Sequence, residues 1–182
     1  ELIDRVPSAF QRWTHQRWQV VSAILAGDLR DAERLAGETW TYGEQIGQPD
    51  AARFFGLYLA NIRGHQGRLH ELIPQIEQAL VESPGLPAFR AVLANAFASS
   101  GDLRRAGALL EADRVGGLTM REDMQWTSAH AAWTNAAVLV GDTAMAEVLH
   151  ARLQPHHDQV VTTFATVPCA VAHYLGMLDH LL

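Results

Sequence analysis

The chain has 182 residues, 48% of them hydrophobic and 19% charged, a globular composition long enough to bury a core and at odds with intrinsic disorder. Its formal net charge of −6 comes with no run of lysine or arginine, which argues against nucleic-acid binding, because neutralising phosphates needs clustered cations. The lone Cys169 excludes an intramolecular disulfide, and the longest apolar stretches, 131–140 and 160–172, fall short of the ~20 residues that a membrane span needs.

In chain order, apolar residues recur at three- and four-residue spacing over 10–26, 29–46, 51–66, 69–81, 87–100, 103–113, 123–140 and 143–153, and again over 167–182. These segments are predicted helices. Breakers separate them at Gly47-Gln48-Pro49, 83–87, Gly116-Gly117 and Pro155, and no segment sustains the alternation of a strand. No signal peptide is visible, and a reducing cytoplasm suits the single cysteine. The chain starts at Glu1 without methionine and ends inside an apolar helical pattern, so a piece of a longer protein is expected.

Four short strings align: Gly27-Asp28-Leu29-Arg30-Asp31-Ala32, Gly67-Arg68-Leu69-His70-Glu71-Leu72, Gly101-Asp102-Leu103-Arg104-Arg105-Ala106 and Gly141-Asp142-Thr143-Ala144-Met145-Ala146, with glycine spacings of 40, 34 and 40. Each glycine supplies the left-handed conformation that ends one helix. Asp28, Asp102 and Asp142 suit the start of the next, where a carboxylate caps free amides. The alanine five residues on lets two helices cross closely; Leu72 replaces it in the second copy, where a wider crossing is expected.

These strings resemble the turn of the tetratricopeptide repeat, and Pro84, seventeen residues after Gly67, matches that family's closing proline. Pro74 and the 40-residue spacings depart from its pattern. Over 20–182 the segments "GDLRDAERLAGETWTYGEQIGQPDA", "GRLHELIPQIEQALVESPGLPAFRAVLANAFASSGDLRRAGALLEAD" and "VAHYLGML" also resemble the C-terminal repeat region of actinobacterial signalling proteins. Those proteins join a class III adenylyl cyclase or a LuxR-type DNA-binding domain to an ATPase and helical repeats. The resemblance implies an all-α fold over 1–182, a right-handed α-solenoid of about four helix-turn-helix repeats plus a trailing helix. It carries no Walker, cyclase or helix-turn-helix motif.

Asn61, Asn95 and Asn135 each stand six residues before their copy's turn glycine. In tetratricopeptide arrays that place resembles the concave surface, so three amides, joined by His65, are candidates for a groove that grips an extended peptide; the alternative is that each amide caps a neighbouring helix or sits in water. His156-His157-Asp158 suggests metal binding, but adjacent helical residues diverge, and a solvated helix start after Pro155 with Asp158 as cap is the simpler expectation. Glu71, Glu77 and Glu82 lack partners by spacing and read as a wet helix face, and Cys169 reads as a small core residue. Trp13, Trp18, Trp40, Trp126 and Trp133 read as packing between helices.

Two functions follow. One is a non-catalytic scaffold that binds a protein, a peptide or another domain of its parent chain; the other is a small-molecule sensor with an apolar pocket lined by Trp126, Trp133, Phe54 and Phe55. A hydrolase or lyase finds no residue set, and neither cofactor nor metal is expected. The last helix, with Leu175, Met177, Leu178, Leu181 and Leu182, is expected to leave an apolar stripe that favours a two-fold dimer. Replacing Ala106 with tryptophan should overpack a helix crossing and cost ~1–3 kcal/mol, read as a lowered thermal midpoint.

Overall fold

Six glycines among the described residues have positive φ and set the punctuation of the fold: Gly27, Gly47, Gly67, Gly101, Gly117 and Gly141. A computed structural model describes residues 8–83, 86–120, 122–123, 125–162 and 169–182. At Gly27 the helix closes by two bonds, Gly27 N to the Ile24 carbonyl and Asp28 N to the Ala23 carbonyl, both 3.0 Å. The second bond, which reaches back five residues, recurs from Gln48 to Gly43, Asp102 to Phe97, Leu118 to Asp113 and Asp142 to Ala137. The glycines read as breakers between copies, Gly47 and Gly117, therefore end their helices as the turn glycines do.

The helices are α1 (Ala9–Leu25), α2 (Leu29–Gln45), α3 (Ala51–His65), α4 (Ile73–Glu82), α5 (Pro87–Ser99), α6 (Leu103–Val115), α7 (Trp126–Val140), α8 (Thr143–Leu153) and α9 (Val171–Leu181). The chain is all-α: there is no strand among the described residues, only one isolated antiparallel bridge, Val160 with Ala170. No helix among them is long and apolar enough to cross a membrane.

Three helices begin as the repeat predicts. Asp28, Asp102 and Asp142 accept bonds from the amides of Asp31, Arg105 and Met145 at 3.2, 3.0 and 2.9 Å. In the second copy Arg68 stands in place of that aspartate and provides no side-chain cap. There the chain first makes a 3-10 turn over Leu69–Leu72, and α4 starts only at Ile73, with Pro74 in its first turn, where no amide is needed. The predicted helix over 69–81 is thus shortened at its start. Ala32, Ala106 and Ala146 are fully buried, whereas Leu72 is half-buried.

The chain forms two compact units, one up to Gln66 and one built from α4 to α9. In the first, Val20, Ile24, Ala32, Ala36, Tyr58 and Ile62 make the core. The indole of Trp13 donates to the Thr39 carbonyl at 3.1 Å, and the Arg17 guanidinium lies 3.4 Å from the Phe54 ring centroid. In the second, α5 packs most extensively on α7, and α9 packs on both α7 and α8.

Two expectations about the C-terminal third fail. Pro155 starts no α-helix: it stands in a short 3-10 helix, Gln154–His156, and after a turn the chain makes a bridge, with Val161 N bonded to the Cys169 carbonyl and Val171 N to the Gln159 carbonyl, so no helix starts at Asp158. The apolar stripe of the last helix is also not left open. Leu175 and Leu178 are buried as α9 packs on α7 and α8; Met177 and Leu181 are half-buried, and only Leu182 is exposed. Pro84, Val167 and Pro168 lie outside the described residues.

Gly43 marks the tightest packing of the first unit. A Cβ there would stand 2.7 Å from Trp13 Nε1 and 2.8 Å from Ala51 Cβ, whereas one at Gly37, two turns earlier on the same helix, would meet nothing within 4 Å. Gly43→Ala should cost about 1–3 kcal/mol by overpacking. Gly37→Ala should be neutral or gain up to ~1 kcal/mol from helix propensity. Thermal denaturation of the two variants checks the contrast, and an equal change in both would contradict it.

Candidate functional site

The amide positions come first. Asn61, half-buried on α3, donates from Nδ2 to the Leu57 carbonyl at 3.0 Å, a bond within its own helix, and His65 is exposed at the end of that helix. Asn95 on α5 and Asn135 on α7 are both half-buried, on the two helices that pack most extensively in the second unit. Asn95 Oδ1 accepts from Ser99 Oγ at 3.4 Å. Asn61 and Asn95 therefore use part of their hydrogen-bonding capacity locally.

The four rings expected to line a pocket are occupied within their own units. Phe54 packs edge-on against Trp13 at 5.7 Å and Phe55 stacks with Trp40 at 4.6 Å. Trp126 stacks on His130 at 3.9 Å, and Trp133 donates to Asp113 Oδ2 at 3.0 Å. Trp18 departs from the packing expectation, since it is 66% exposed. A groove of about 540 Å³ does lie along α2, lined by Trp40, Tyr42 and Phe55 with Glu33 and Glu38. Its carboxylates are engaged: Glu33 with Arg63 and Glu38 with Arg34.

The remaining sequence candidates are dispersed. Glu71 pairs with Arg68 at 2.7 Å, Glu82 accepts from Gln78 at 2.8 Å, and Glu77 is exposed. Cys169 is half-buried just before α9. No group of three or more potential metal ligands occurs among the described residues, and Nδ1 of His156 faces the Gln159 amide at 3.1 Å.

Sequence reasoning missed the polar centre of the second unit. His130 is fully buried on α7, between Trp126, which stacks on it, and Trp133, edge-on at 5.3 Å. Its Nδ1 lies 2.8 Å from the Trp126 carbonyl. A carbonyl only accepts, so Nδ1 carries the hydrogen and Nε2 is left as an acceptor, buried and without a partner among the described residues. Burial pushes the imidazole down from 6.5 to about 4; the bond to Trp126 opposes this, and the charges of Arg152 and His156 add to it. Nearby, Asp113 accepts from Trp133 and lies 2.7 Å from Arg90 Nε. Burial raises this carboxyl against the pull of both partners. The signal available in the sequence was slight, a histidine four residues after one tryptophan and three before another inside an alanine-rich helix.

This arrangement is a buttress. His130 Nδ1 is spent on its own helix, Nε2 has no partner among the described residues, and the Asp113 carboxylate on α6 ties together Trp133 on α7 and Arg90 on α5. Compared with protein-family models, curated proteins and solved structures, the chain finds no match.

The imidazole makes stability depend on pH in a known direction. The unfolded chain takes up a proton near pH 6.5, while the native ring stays neutral down to about 4, so stability is complete above 6.5 and falls as pH drops to about 4. The loss amounts to ~3 kcal/mol, less whatever the raised Asp113 carboxyl returns as it protonates. Denaturant melts across that window should show this slope in the wild type, and His130→Phe should flatten it. An unchanged slope in the variant would contradict the assignment.

Proposed function

We propose that this chain is a non-catalytic, cytoplasmic interaction domain of tetratricopeptide-like repeats that regulates a larger signalling or transcription-controlling protein of the actinobacterial type it resembles. In this reading the hairpins stack as a right-handed α-solenoid. Its concave face, with Asn61, Asn95, Asn135 and His65, takes an extended peptide or another domain of the parent chain. The observation that carries the reading is the recurrence of one turn: at Gly27, Gly101 and Gly141, a left-handed glycine, an aspartate cap and a fully buried alanine appear together. Repetition of a whole supersecondary unit is the mark of solenoid architecture. The net charge of −6 speaks against a nucleic-acid partner for this segment.

Selection from a display library of extended peptides tests it. Peptides should be enriched on the wild-type chain, and Asn95→Ala with Asn135→Ala should weaken them about tenfold or more, the loss of one or two charge-free hydrogen bonds made in a buried groove. No enrichment, or binding indifferent to both amides, would refute the concave-face assignment.

A further inference from the structure

In their middle turns α5 and α7 are each open along one line only. From 93 to 98 on α5 the one residue that is not buried is Asn95, and from 129 to 137 on α7 it is Asn135. At 100° per residue, Ala88, Val92 and Ser99 share the line of Asn95 within an arc of about 60°, and Ser128, Ala132 and Leu139 share that of Asn135 in the same register. Contacts on the far side of each helix fix which way the lines face. Arg90, about 140° round α5 from Asn95, reaches Asp113 on α6 at 2.7 Å. Trp133, about 160° round α7 from Asn135, donates to the same carboxylate at 3.0 Å. Both amides therefore face away from α6. Both also keep hydrogen-bonding capacity. Asn95 accepts from Ser99 through Oδ1, and its Nδ2 has no partner among the described residues; no hydrogen bond reaches the Asn135 amide among them.

Neither line carries a charge. Arg90 is the only charged side chain of α5 and is turned to Asp113; α7 has no Asp, Glu, Lys or Arg, and its one histidine, His130, is fully buried. On α9, which packs on α7, the one carboxylate is Asp179, held by His150 at 2.9 Å. A charged group laid along these lines would lose water and gain no counter-charge. An uncharged extended chain meets no such cost: its carbonyls suit the two Nδ2 groups and its N–H groups suit Asn135 Oδ1. We propose, resting on the concave-face reading, that Asn95 and Asn135 grip an uncharged stretch of extended chain, with apolar side chains against Val92 and Leu139.

The test uses the full chain and three display pools of peptides about nine residues long, ~30 Å when extended. One pool is randomised over alanine, valine, leucine, serine, threonine and asparagine. The second has aspartate and glutamate in place of serine and threonine, and the third has lysine and arginine there. The uncharged pool should be enriched at least about tenfold over the other two, and its peptides should bind within about twofold between about 0.05 and about 0.5 M salt. Asn135→Leu should weaken them about tenfold. Asn135→Asp should weaken them as much and turn selection towards the basic pool, with circular dichroism melts confirming that both variants fold. Selection dominated by the acidic or the basic pool, and lost on Asn95→Ala with Asn135→Ala, would overturn the uncharged class while leaving the concave face its peptide. No enrichment from any pool, or enrichment indifferent to the amides, would overturn both.

Discussion

Most of the second unit leans on α7. Nine of its residues are buried, Trp126, Ala129, His130, Ala131, Ala132, Trp133, Thr134, Ala136 and Ala137, so the helix is enclosed nearly all round, and it packs on α5, α6, α8 and α9. A helix enclosed this way has no wet face on which to place polar groups. Each polar group it carries must be met locally, and most are: Thr134 turns back to the His130 carbonyl at 2.8 Å, Trp133 reaches Asp113, and His130 Nδ1 returns to Trp126. Alanine at five of those nine buried positions keeps the side-chain volume small, which is what allows four neighbours to close in around one helix.

The turns were legible because their chemistry is local. A glycine that must be left-handed and an aspartate that must cap are read within six residues, and the fold placed them where the spacing put them. The errors have local and non-local causes. Arg68 for aspartate and Pro74 together delayed α4, and both were visible in the sequence, though their joint effect on the helix start was not. The misread segment after Pro155 has a partner ten residues on: Val160 pairs with Ala170 in an isolated antiparallel bridge. Periodicity within one segment carries no information about such a pairing.

The candidate site was less legible than the fold. An amphipathic pattern reports that α9 has an apolar face and leaves open whether α7 and α8 will cover it; they do, which removes the basis of the C-terminal dimer. On α1 the same kind of pattern leaves Trp18 and Leu25 in water. His130 shows the limit most clearly. As one histidine among nine it is chemically anonymous, and its displaced titration comes wholly from neighbours that tertiary packing supplies.

The return of α9 onto α7 and α8 has a consequence for synthesis. The first unit has all three of its helices once Gln66 has been added, so its core can close while the rest is still being made. The second cannot cover α7 until Leu175 and Leu178 arrive, which leaves an alanine- and tryptophan-rich helix uncovered on one side for some forty residues of translation. A nascent chain therefore passes through a stage with one finished unit and one adhesive half-built one, and that interval is where chaperone engagement would be concentrated.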